Sequence, residues 1–386
     1  MNPQRKKIIH IITRLDLGGS AEDVILICRN LDPAKYDVLL VYGGSKWDPA
    51  LLPFRSADVP ELKRDISLLH DLRALGRLYS LIKREKPDIV QTHSSKAGFL
   101  GRLAAKCAGV KCILHNPHGH IFYGYGFNRI QLAAFILFER IAAALSTRII
   151  AITEGEKKET LEKSIGKRSQ WVVIHSAVEH SPLSMEKARS IREQFDIPAD
   201  ATIVGTVARF ERVKGIPVLI DAAALLKNRT ELLFLLVGDG SERALLENKI
   251  AEFGLQRQCR LTGIQTDVAD FMAAMDIYVQ PSLNEGMGKT IVQAQMLGKP
   301  VIASRVQGIP DVVLDGKTGM LVPPHDPRAL ASAIAAMISD TERRQRMGSA
   351  AQAWVNEQVD GHPRFSLQRK MALLNRLYES LDGSHQ

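Results

Sequence analysis

The sequence predicts an α/β protein with two doubly wound parallel sheets. Short apolar segments rich in Val and Ile alternate with longer amphipathic segments from end to end. This alternation is typical of parallel sheets covered by helices. It lapses only once, near the middle of the chain, and a length of 386 residues suits two such domains better than one.

Ten segments are predicted as strands because they are short, apolar and β-branched. Six precede the lapse and four follow it, and a further short strand ends at Leu261. The ten are residues 7–12, 38–41, 89–91, 112–114, 148–150 and 171–174, and then 203–207, 232–237, 277–279 and 301–303. Helical patterns between them cover residues 21–31, 68–85 and 97–108.

Polar residues, a short helix and Pro198 interrupt the alternation between residues 181 and 200. Residues 1–180 are therefore predicted to form an N-terminal Rossmann-like domain, and residues 181–362 a C-terminal one. Residues 363–386 are expected to form a C-terminal helix that packs back on the first domain. Two doubly wound domains of this kind are expected to face each other across a cleft, with ligands at the strand C-terminal ends.

The composition argues against a secreted or membrane-spanning protein. The four cysteines are scattered, as expected for reduced thiols, and no pair has the spacing of a metal knuckle. The longest apolar segment, residues 132–138, is far shorter than the roughly 20 residues of a membrane span. The apolar run at residues 8–12 is too short for a signal peptide. A cytoplasmic protein is expected, one that can still contact a membrane.

The net charge of +9 is confined to the first half of the chain. Residues 1–180 hold 27 Lys and Arg against 18 Asp and Glu, whereas residues 181–386 hold 24 of each. A basic surface on one domain can attract acidic lipid, a phosphorylated acceptor or nucleic acid, and it can equally be a solvated surface without a partner. Nucleic acid is not expected, because aromatic stacking residues are not interleaved with the cations.

One segment of the second half, residues 281–304, combines a carboxylate, two glycines and a predicted helix start between two apolar strands. Gly286 and Gly288 leave no side chain between the backbone and a ligand, and residues 288–297 are predicted as a helix. Free amides at a helix start attract anions, phosphate above all. Glu285 is poorly placed to hold phosphate but can accept hydrogen bonds from nearby hydroxyls. Phosphate next to hydroxyls describes a sugar nucleotide.

Two cations follow the predicted strand at residues 203–207. Arg209 and Lys214 lie on the loop that leaves this strand, and Gly215 precedes the next helix. A bidentate guanidinium and a lysine beside a helix start can clamp a diphosphate. Cation pairs on loops are also common on ordinary surfaces. Their position at a strand end, ahead of Glu285, favours the functional interpretation.

Two further strand ends carry glycines. A buried strand ends at the sequence Gly-Asp-Gly that begins at Gly238, and another strand ends shortly before Gly263 and Ile264. A tight structural turn explains the first of these equally well. Backbone groups exposed at the second could bind the edge of a nucleobase.

The first half holds a glycine pair and a histidine cluster at predicted strand ends. Gly18 and Gly19 lack the third glycine of a dinucleotide fingerprint, and a structural turn explains them equally well. His115, His118 and His120 follow a later strand on a predicted loop. No carboxylate or cysteine lies at a suitable spacing, so metal binding is not favoured. A histidine at a strand end is better interpreted as a hydrogen-bonding or acid–base group facing a ligand.

These motifs, in this order, resemble the retaining glycosyltransferases of family 4, which have the two-domain GT-B fold. The resemblance covers nearly the whole chain and ends in a closing segment at residues 308–330. Its most specific parts are Gly18-Gly19, His118-Gly119, the R-x4-K pair of Arg209 and Lys214, Gly238-Asp239-Gly240 and the E-G-x-G helix start at Glu285.

The resemblance implies a nucleotide-sugar donor held mainly by the second domain and an acceptor bound by the first. It implies that Arg209 and Lys214 hold the diphosphate without a metal ion. Glu285 and His118 are the expected catalytic residues, at the sugar hydroxyls and beside the transferred sugar, and no cofactor is expected. The other donor-binding residues are expected to be Gly18, Gly19, Gly238, Gly263, Ile264, Gly286, Met287, Gly288, Lys289, Thr290 and Gln293.

Two positions depart from the usual pattern of the family. A second glutamate usually follows the first by eight residues and holds the ribose hydroxyls, but Gln293 occupies that position here. An amide oxygen accepts such hydrogen bonds more weakly than a carboxylate, which leaves the identity of the nucleotide open. Residues 175–179, HSAVE, stand where N-G-V-D is more usual.

The sequence thus predicts a retaining, metal-independent glycosyltransferase of cell-envelope polysaccharide or lipopolysaccharide synthesis. A UDP-sugar is the favoured donor, and the acceptor is expected to be a glycan or a lipid-linked molecule. Residues 43–56 and 121–129 are expected to select the acceptor. The basic first domain could contact anionic lipid at the inner face of the cytoplasmic membrane. Two alternatives remain: a nucleotide-sugar epimerase on the same fold, and a non-catalytic relative that binds sugar nucleotides, which Gln293 favours.

Overall fold

The computed structural model of the chain describes residues 5–15, 18–45, 52–65, 67–119, 122, 128–179 and 183–381. They form two compact units. The first comprises the described residues of Met1–Gly119, Phe127–Ser176 and Lys370–Gln386, and the second those of His120–Gly126 and Ala177–Arg369. The predicted domain boundary at residue 180, His120 and much of the two predicted acceptor-selecting segments lie outside the described residues.

In the described part of the first unit, seven strands alternate with helices. Six of them are largely apolar and β-branched, as strands buried on both faces require, whereas the third is polar. The seven strands are β1 (Lys6–Ile12), β2 (Tyr36–Tyr42), β3 (Arg55–Asp58), β4 (Ile89–His93), β5 (Cys112–Asn116), β6 (Arg148–Ala151) and β7 (Trp171–Val173). The helices are α1 (Gly19–Asn30), α2 (Leu68–Glu85), α3 (Ser95–Cys107), α4 (Arg129–Ala144) and α5 (Glu154–Glu162).

These strands form one parallel sheet in the order β3-β2-β1-β4-β5-β6-β7. Strand β1 lies between β2 and β4, so that the sheet reverses its winding there and the loops after β1 and β4 diverge. The register places Ile12 beside His93, and both residues end their strands. Helices α2 and α3 pack Leu78, Ile82 and Leu100 against one face of this sheet.

The second unit repeats this plan. Its strands are β8 (Thr202–Val207), β9 (Leu232–Val237), β10 (Cys259–Leu261), β11 (Ile277–Gln280), β12 (Val301–Ser304) and β13 (Gly319–Val322), with a short pair β14 (Gln358–Val359) and β15 (His362–Pro363). Its helices are α6 (Met185–Gln194), α7 (Ile216–Leu225), α8 (Arg243–Phe253), α9 (Val268–Ala274), α10 (Lys289–Met296), α11 (Pro327–Ser339) and α12 (Thr341–Val355).

The second sheet is parallel in the order β10-β9-β8-β11-β12-β13. Strand β8, the first along the chain, lies between β9 and β11, so the winding reverses between β8 and β11. Fully buried residues such as Val204, Phe234 and Ile277 pack with Leu219 and Ile334 of the helices. This core fixes the carboxyl ends of β9, β8 and β11 side by side.

The last helix, α13 (Leu367–Ser380), belongs to the first unit from Lys370 onward. The Tyr378 hydroxyl lies 2.6 Å from Gln91 Oε1, and its ring meets the edge of the Tyr36 ring at 5.9 Å between centroids. Lys6 Nζ donates to the Tyr378 carbonyl at 3.2 Å. The first strand and the last helix of the chain are therefore held together.

Helix α2, with 18 residues, is the longest helix of the described chain. It carries Arg73, Arg77 and Lys83 among its apolar residues. Across the ranges that the structure describes, no helix combines the length and the apolar character needed to cross a bilayer.

The predicted fold class is confirmed, and all ten predicted strands are present with ends that differ by at most two residues. Four strands were not predicted: β3, β13 and the short pair β14 and β15. Strand β3 is polar and only part-buried because it lies at the edge of its sheet, so it lacks the apolar run that marks the others. Strand β13 is four residues long and begins with Gly319, whose absent side chain lets it approach the Val301 carbonyl.

Two local predictions were wrong. Strand β5 extends to Asn116, so His115 lies within a strand and not on a loop, because its backbone pairs with Thr92 of β4. The C-terminal helix begins at Leu367 instead of near residue 363. Pro363 pairs with Gln358 in the short antiparallel ladder, and a ladder residue cannot also start the helix.

Candidate active site

Three loops of the second unit come together where β9, β8 and β11 end. A Cβ atom on Gly238 would lie 1.9 Å from the Ala208 carbonyl oxygen, and one on Gly215 would lie 2.1 Å from that of Pro281. Both glycines have positive φ angles, 136° and 63°. Only glycine permits such an approach in these conformations. The loop after β8 is therefore packed between the loops after β9 and β11.

An ion pair joins two of these loops. Lys214, at the end of the loop after β8, places Nζ 2.6 Å from Oε2 of Glu285, in the loop after β11. The two side chains are 20% and 14% exposed, so the pair is largely shielded from solvent but can still be reached. It lies where the winding of the sheet reverses, which is where open α/β sheets bind their ligands.

A chain of buried polar side chains leads from the sheet to Glu285. The Tyr278 hydroxyl lies 2.8 Å from Gln280 Oε1, and Gln280 Nε2 donates to Ser282 Oγ at 2.8 Å. The Ser282 hydroxyl in turn donates to Glu285 Oε2 at 3.2 Å. Burial raises the pKa of Tyr278, which keeps its phenol protonated. These contacts fix the orientation of the Glu285 carboxylate from the side of the sheet core.

The backbone of Glu285 is held by the loop after β12. Its N–H donates to Gln307 Oε1 at 3.1 Å, and its carbonyl accepts from the Gly308 N–H at 3.3 Å. Gln307 is 9% exposed and has a φ of 39°, a conformation that a residue with a side chain rarely adopts. Glu285 is thus fixed through both its side chain and its main chain.

Helix α10 begins directly after this loop. It starts at Lys289 behind Gly288, whose φ is 81° and which has no side chain to cap the helix. Thr290 Oγ1 lies 3.2 Å from Gln280 Oε1, so its hydroxyl joins the polar chain beneath Glu285. The positive end of the helix dipole therefore lies beside the Lys214–Glu285 pair, an arrangement that favours an anion.

Arg209 differs from Lys214 in its surroundings. Its side chain is exposed, and within the described ranges it makes no side-chain hydrogen bond or ion pair. Its neighbour Phe210 is fully buried and donates its N–H to the Asp239 carbonyl at 2.9 Å. A buried anchor beside an exposed guanidinium leaves Arg209 available to an incoming anion at the same edge of the sheet.

The ends of β9 and β10 meet at a glycine pair. The Gly238 N–H donates to the Gly263 carbonyl at 3.0 Å, and Gly263 has a φ of 74°. The next residue, Ile264, is 82% exposed. A large apolar side chain next to a bare backbone turn provides a surface on which a flat ring can pack.

In the first unit, helix α1 begins at Gly19 after Gly18. The φ of Gly18 is 172°, extended backbone that any residue can adopt, and a Cβ atom there would meet no described atom within 4 Å. The described fold therefore does not itself require glycine at position 18. This favours the interpretation that the position is kept open for a ligand.

The turn after β5 is fixed by buried polar groups. His118 has a φ of 59°, and its N–H donates to Asn116 Oδ1 at 3.1 Å. The Gly119 N–H donates to Glu156 Oε1 at 2.8 Å, and the other carboxyl oxygen of Glu156 accepts from the Ile152 N–H at 2.7 Å. Burial raises the pKa of Glu156 from 4.5 to about 7.

The His118 ring points into the first unit. Its Nε2 lies 2.9 Å from His93 Nδ1, and its Nδ1 lies 3.8 Å from Asp23 Oδ2, with a side chain only 5% exposed. His115 is 1% exposed under α3, where a Cβ atom on Gly98 would lie 2.5 Å from its Cε1 atom. His115 therefore packs inside the unit and does not face a ligand, contrary to the prediction for the cluster.

Comparison with known proteins assigns both units to one family. Residues 17–181 match the family described as Glycosyltransferase Family 4, and residues 187–354 match Glycosyl transferases group 1. A UDP-Gal:alpha-D-GlcNAc-diphosphoundecaprenol alpha-1,3-galactosyltransferase of Escherichia coli is 31% identical over 292 residues, 74% of this chain and 75% of that protein. The chain belongs to the family 4 glycosyltransferases.

A further relative supports this assignment, and a solved structure shares the fold. The capsular polysaccharide biosynthesis glycosyltransferase CapM of Staphylococcus aureus is 29% identical over 302 residues, 76% of this glycosyltransferase and 78% of CapM. The crystal structure of Anabaena Alr3699/HepE in complex with UDP and glucose has a TM-score of 0.79 at 22% identity and covers 97% of this glycosyltransferase and 100% of that chain. The likeness to HepE confirms the fold.

The structure of this glycosyltransferase brings several predicted site residues together in its second unit. The ion pair consists of Lys214 and Glu285, and Gly288, Lys289 and Thr290 lie beside it. Gly286 and Met287 occupy the same loop as Glu285. Gly238, Gly263 and Ile264 lie at the neighbouring strand ends. Gln293 lies one turn further along α10 and lines a small cavity with Glu179 and Met272. The roles assigned to these residues stay predictions.

Sequence reasoning missed the residues that hold the site in place. Gln280 and Ser282 are polar residues at the end of an apolar strand. Together with Tyr278 they occupy every second position, 278, 280 and 282. That spacing places alternate residues of a strand on one face and could have revealed the polar chain. Gln307 gave no such signal, because its contact with Glu285 joins loops that are 22 residues apart.

Proposed function

We propose that this glycosyltransferase transfers a sugar from a UDP-sugar to a lipid-linked or glycan acceptor of the cell envelope, with retention of configuration and without a metal ion. The observation that carries the proposal is the Lys214–Glu285 ion pair beside the start of α10. It combines a cation and a helix N-terminus for a diphosphate with an oriented carboxylate for sugar hydroxyls.

The chemistry follows from these charges. As the bond between the anomeric carbon and the diphosphate oxygen breaks, negative charge grows on the leaving nucleotide. Lys214, Arg209 and the first amides of α10 would stabilise that charge in place of a metal ion. The acceptor oxygen forms its bond to the anomeric carbon on the same face, and its proton passes to the departing diphosphate. Glu285 would hold the sugar hydroxyls during transfer.

Among the described residues, no group of three or more His, Cys, Asp or Glu has the geometry to hold a metal ion. The proposal of metal independence does not depend on this, since a metal can be brought by the donor. It rests on the lysine, the arginine and the helix start, which together supply positive charge at the diphosphate. Full activity in the presence of a chelator would support it.

The proposed donor and acceptor take their support from the relatives. The Escherichia coli relative is named for a UDP-galactose donor and a diphosphoundecaprenol-linked acceptor, and HepE was crystallised with UDP and glucose. Gln293, in place of a carboxylate at the predicted ribose site, makes a weaker acceptor of hydroxyl hydrogen bonds. Gln293 therefore predicts that a UDP-sugar binds more weakly to this protein than to a relative with glutamate at this position.

The first unit carries apolar side chains suited to contact with an anionic membrane. On helix α4, Ile130, Leu137 and Ile141 are 82%, 55% and 48% exposed and lie on one stripe, at spacings of seven and four residues. Exposed Arg129 and Arg140 are the cations of this helix. Its only acid, Glu139, pairs with buried Arg102, so the exposed charge is positive.

The proposed function is tested with donors and acceptors directly. A thermal-shift panel of UDP-, GDP- and ADP-sugars identifies the donor, and transfer is then measured to a lipid diphosphate-linked N-acetylglucosamine acceptor. Glu285→Gln should abolish transfer while the protein stays folded. Glu247→Gln, which removes an exposed carboxylate of the same unit, is the control and should leave transfer unchanged.

The two alternative functions give different results in this assay. An epimerised sugar from the donor alone would indicate an epimerase, and nucleotide binding without transfer to any acceptor would indicate a non-catalytic protein. Either result would refute the proposed transfer.

Membrane contact is tested separately by co-sedimentation with phosphatidylglycerol or phosphatidylcholine vesicles. We expect binding to the anionic vesicles only, and loss of binding in the variant Ile130→Ser/Leu137→Ser/Ile141→Ser. Leu225→Ser, which removes a 56% exposed leucine of the second unit, should bind as the wild type does. Equal binding by the triple variant would show that α4 is not the contact surface.

A further inference from the structure

Five ionisable side chains form a continuous cluster inside the first unit. They come from five separate elements: His10 from β1, His93 from β4, His118 from the turn after β5, Asp23 from α1 and Lys370 from α13. His10, His93 and Asp23 are fully buried, and Lys370 is 4% exposed. Lys370 lies 347 residues from Asp23 along the chain, so only the folded structure brings these two together.

The three histidines form a line of hydrogen bonds. His10 Nδ1 lies 3.0 Å from His93 Nε2, and His93 Nδ1 lies 2.9 Å from His118 Nε2. The ring planes are inclined by only 20° and 29°, with centroids 5.3 and 5.1 Å apart. Because the nitrogens are far closer than the centroids, the rings meet edge to edge, which is the geometry of N–H···N hydrogen bonds.

The line ends at a buried ion pair. His118 Nδ1 lies 3.8 Å from Asp23 Oδ2, and the other Asp23 oxygen accepts from Lys370 Nζ. The lysine supplies the countercharge that a fully buried carboxylate needs in order to remain ionised. Asp23 therefore presents negative charge to one end of the histidine line.

His10 and His93 are neutral in this environment. Burial lowers the pKa of His10 to about 3, helped by the positive charge of Lys370, and burial lowers the pKa of His93 well below 6.5. A neutral imidazole has one donor nitrogen and one acceptor nitrogen. Each N···N contact needs one hydrogen, so the whole line can run in only two directions.

Both ends of the line favour the same direction. If each histidine carries its hydrogen on Nδ1, His118 points an N–H at the Asp23 carboxylate, and His10 Nε2 is left as a bare acceptor. His10 Nε2 has no hydrogen-bond partner among the described residues. In the opposite direction, His10 would bury an unpaired N–H, and a neutral His118 would point a lone pair at a carboxylate oxygen. Both are unfavourable.

We propose that Asp23 and Lys370 are positioning residues for His118, and that they set His118, His93 and His10 as a single array of Nδ1–H tautomers. The array holds the His118 backbone in its left-handed conformation at the turn after β5. The part of this inference that concerns activity rests on the proposed sugar transfer, in which His118 is an expected catalytic residue. The tautomers themselves do not depend on that function.

The variants must separate positioning from folding. Lys370→Met alone leaves a fully buried carboxylate without its countercharge, so it is strongly destabilising. The double variant Asp23→Asn/Lys370→Met removes both charges and avoids this penalty, and it is therefore the test protein. Asp267→Asn/Lys187→Met removes the same two charges from an exposed pair at 2.9 Å in the second unit and is the matched control.

The first measurement is the tautomer of each histidine, from two-bond proton–nitrogen correlation spectra of protein labelled with nitrogen-15 histidine. Single His→Asn variants assign the signals. We expect Nδ1–H at His10, His93 and His118 in the wild type and in the control, and loss of that uniform pattern in the double variant. An Nε2–H signal at any of the three in the wild type, or an unchanged pattern in the double variant, would overturn the array.

The second measurement is transfer by the same proteins. A displaced catalytic turn lowers turnover on the order of 10²-fold, so we expect kcat of the double variant to fall by about that factor with little change in KM for the donor. An unchanged kcat would overturn the positioning role. If the wild type transfers no sugar at all, the proposed function fails, and the tautomer spectra still decide the array on their own.

Discussion

Lys214 and Glu285 lie within hydrogen-bond distance, 2.6 Å, across two neighbouring strand ends of the second sheet. Each side chain belongs to a different loop, and the loops are locked by a glycine that no other residue can replace without a clash. The pair is therefore preorganised before any ligand arrives. The Lys214 ammonium is therefore in position before a donor diphosphate binds. The diphosphate would have to replace the Glu285 carboxylate as its partner.

Lys214→Met should weaken binding of the donor nucleotide. A hydrogen bond to a charged group contributes about 1.5–3 kcal/mol, which corresponds to roughly 10- to 100-fold in affinity. Isothermal titration with UDP measures the loss, and binding should also become less sensitive to salt. Lys227→Met is the control, because Lys227 is an exposed lysine of the same unit whose Nζ donates to the Phe253 carbonyl. Equal affinity in the two variants would refute the diphosphate role.

Gly215→Ala should destabilise the second unit more than an alanine in another left-handed position. The new Cβ atom would lie 2.1 Å from the Pro281 carbonyl oxygen, in addition to the cost of about 1–2 kcal/mol for the left-handed conformation. Gly316→Ala is the matched control, since Gly316 has a φ of 75° and open space around it. Urea unfolding compares the two, and equal losses would mean that the loops do not pack as described.

Gln293→Glu should strengthen the binding of UDP. A carboxylate accepts hydrogen bonds from hydroxyls about twice as strongly as a neutral amide, so a gain of roughly 1 kcal/mol, about fivefold in affinity, is expected. Glu179 lines the same small cavity, and its charge opposes the new carboxylate. The variant Gln293→Glu/Glu179→Gln should therefore bind more tightly still. If neither variant differs from the wild type in titration with UDP, position 293 does not contact the nucleotide.

Glu156 should make the first unit less stable as pH rises. Its pKa is raised from 4.5 to about 7, so between these values the folded protein holds a proton that the unfolded chain has lost. The resulting stabilisation is complete below pH 4.5 and is lost as pH rises through about 7, a change of about 3 kcal/mol.

The comparison variant is Glu156→Gln, which cannot titrate. Buried His10 and His93 act in the opposite sense, because their lowered pKa values favour folding above pH 6.5, but their contribution is common to both proteins. The difference in free energy of unfolding between wild type and Glu156→Gln, measured in urea at pH 5, 6, 7 and 8, should therefore shrink as pH rises. A constant difference would mean that Glu156 is ionised throughout.

The sequence predicted the parts of the fold that have local causes. Strands such as β8 and β9 are apolar and β-branched throughout, and the helix start at Lys289 follows from the glycines before it. Strand β3 was missed because an edge strand needs no continuous apolar run. Local patterns therefore located the strand ends where the candidate site lies.

The supporting contacts of the site could not be predicted in this way. Asp23 and Lys370 meet only because α13 returns to the first unit, and nothing near either residue marks it as one half of a buried pair. Gln307 holds Glu285 from a different loop, in a backbone conformation that its sequence neighbours do not specify. Contacts of this kind depend on the complete fold, and the sequence signal for each is a single polar residue among many.

The return of α13 also determines the order in which the chain can complete its two units. Apart from residues 120–126, the second unit is one uninterrupted stretch, Ala177–Arg369, whereas the first needs the segment from Lys370 onward. During synthesis on the ribosome, the second unit can therefore close as soon as its own residues emerge. The first unit, although made earlier, must wait for the last helix to place Tyr378 against Gln91 and Lys370 against Asp23. Until then Asp23 lacks the countercharge of Lys370, and premature termination before α13 would leave the earlier-made unit unfinished.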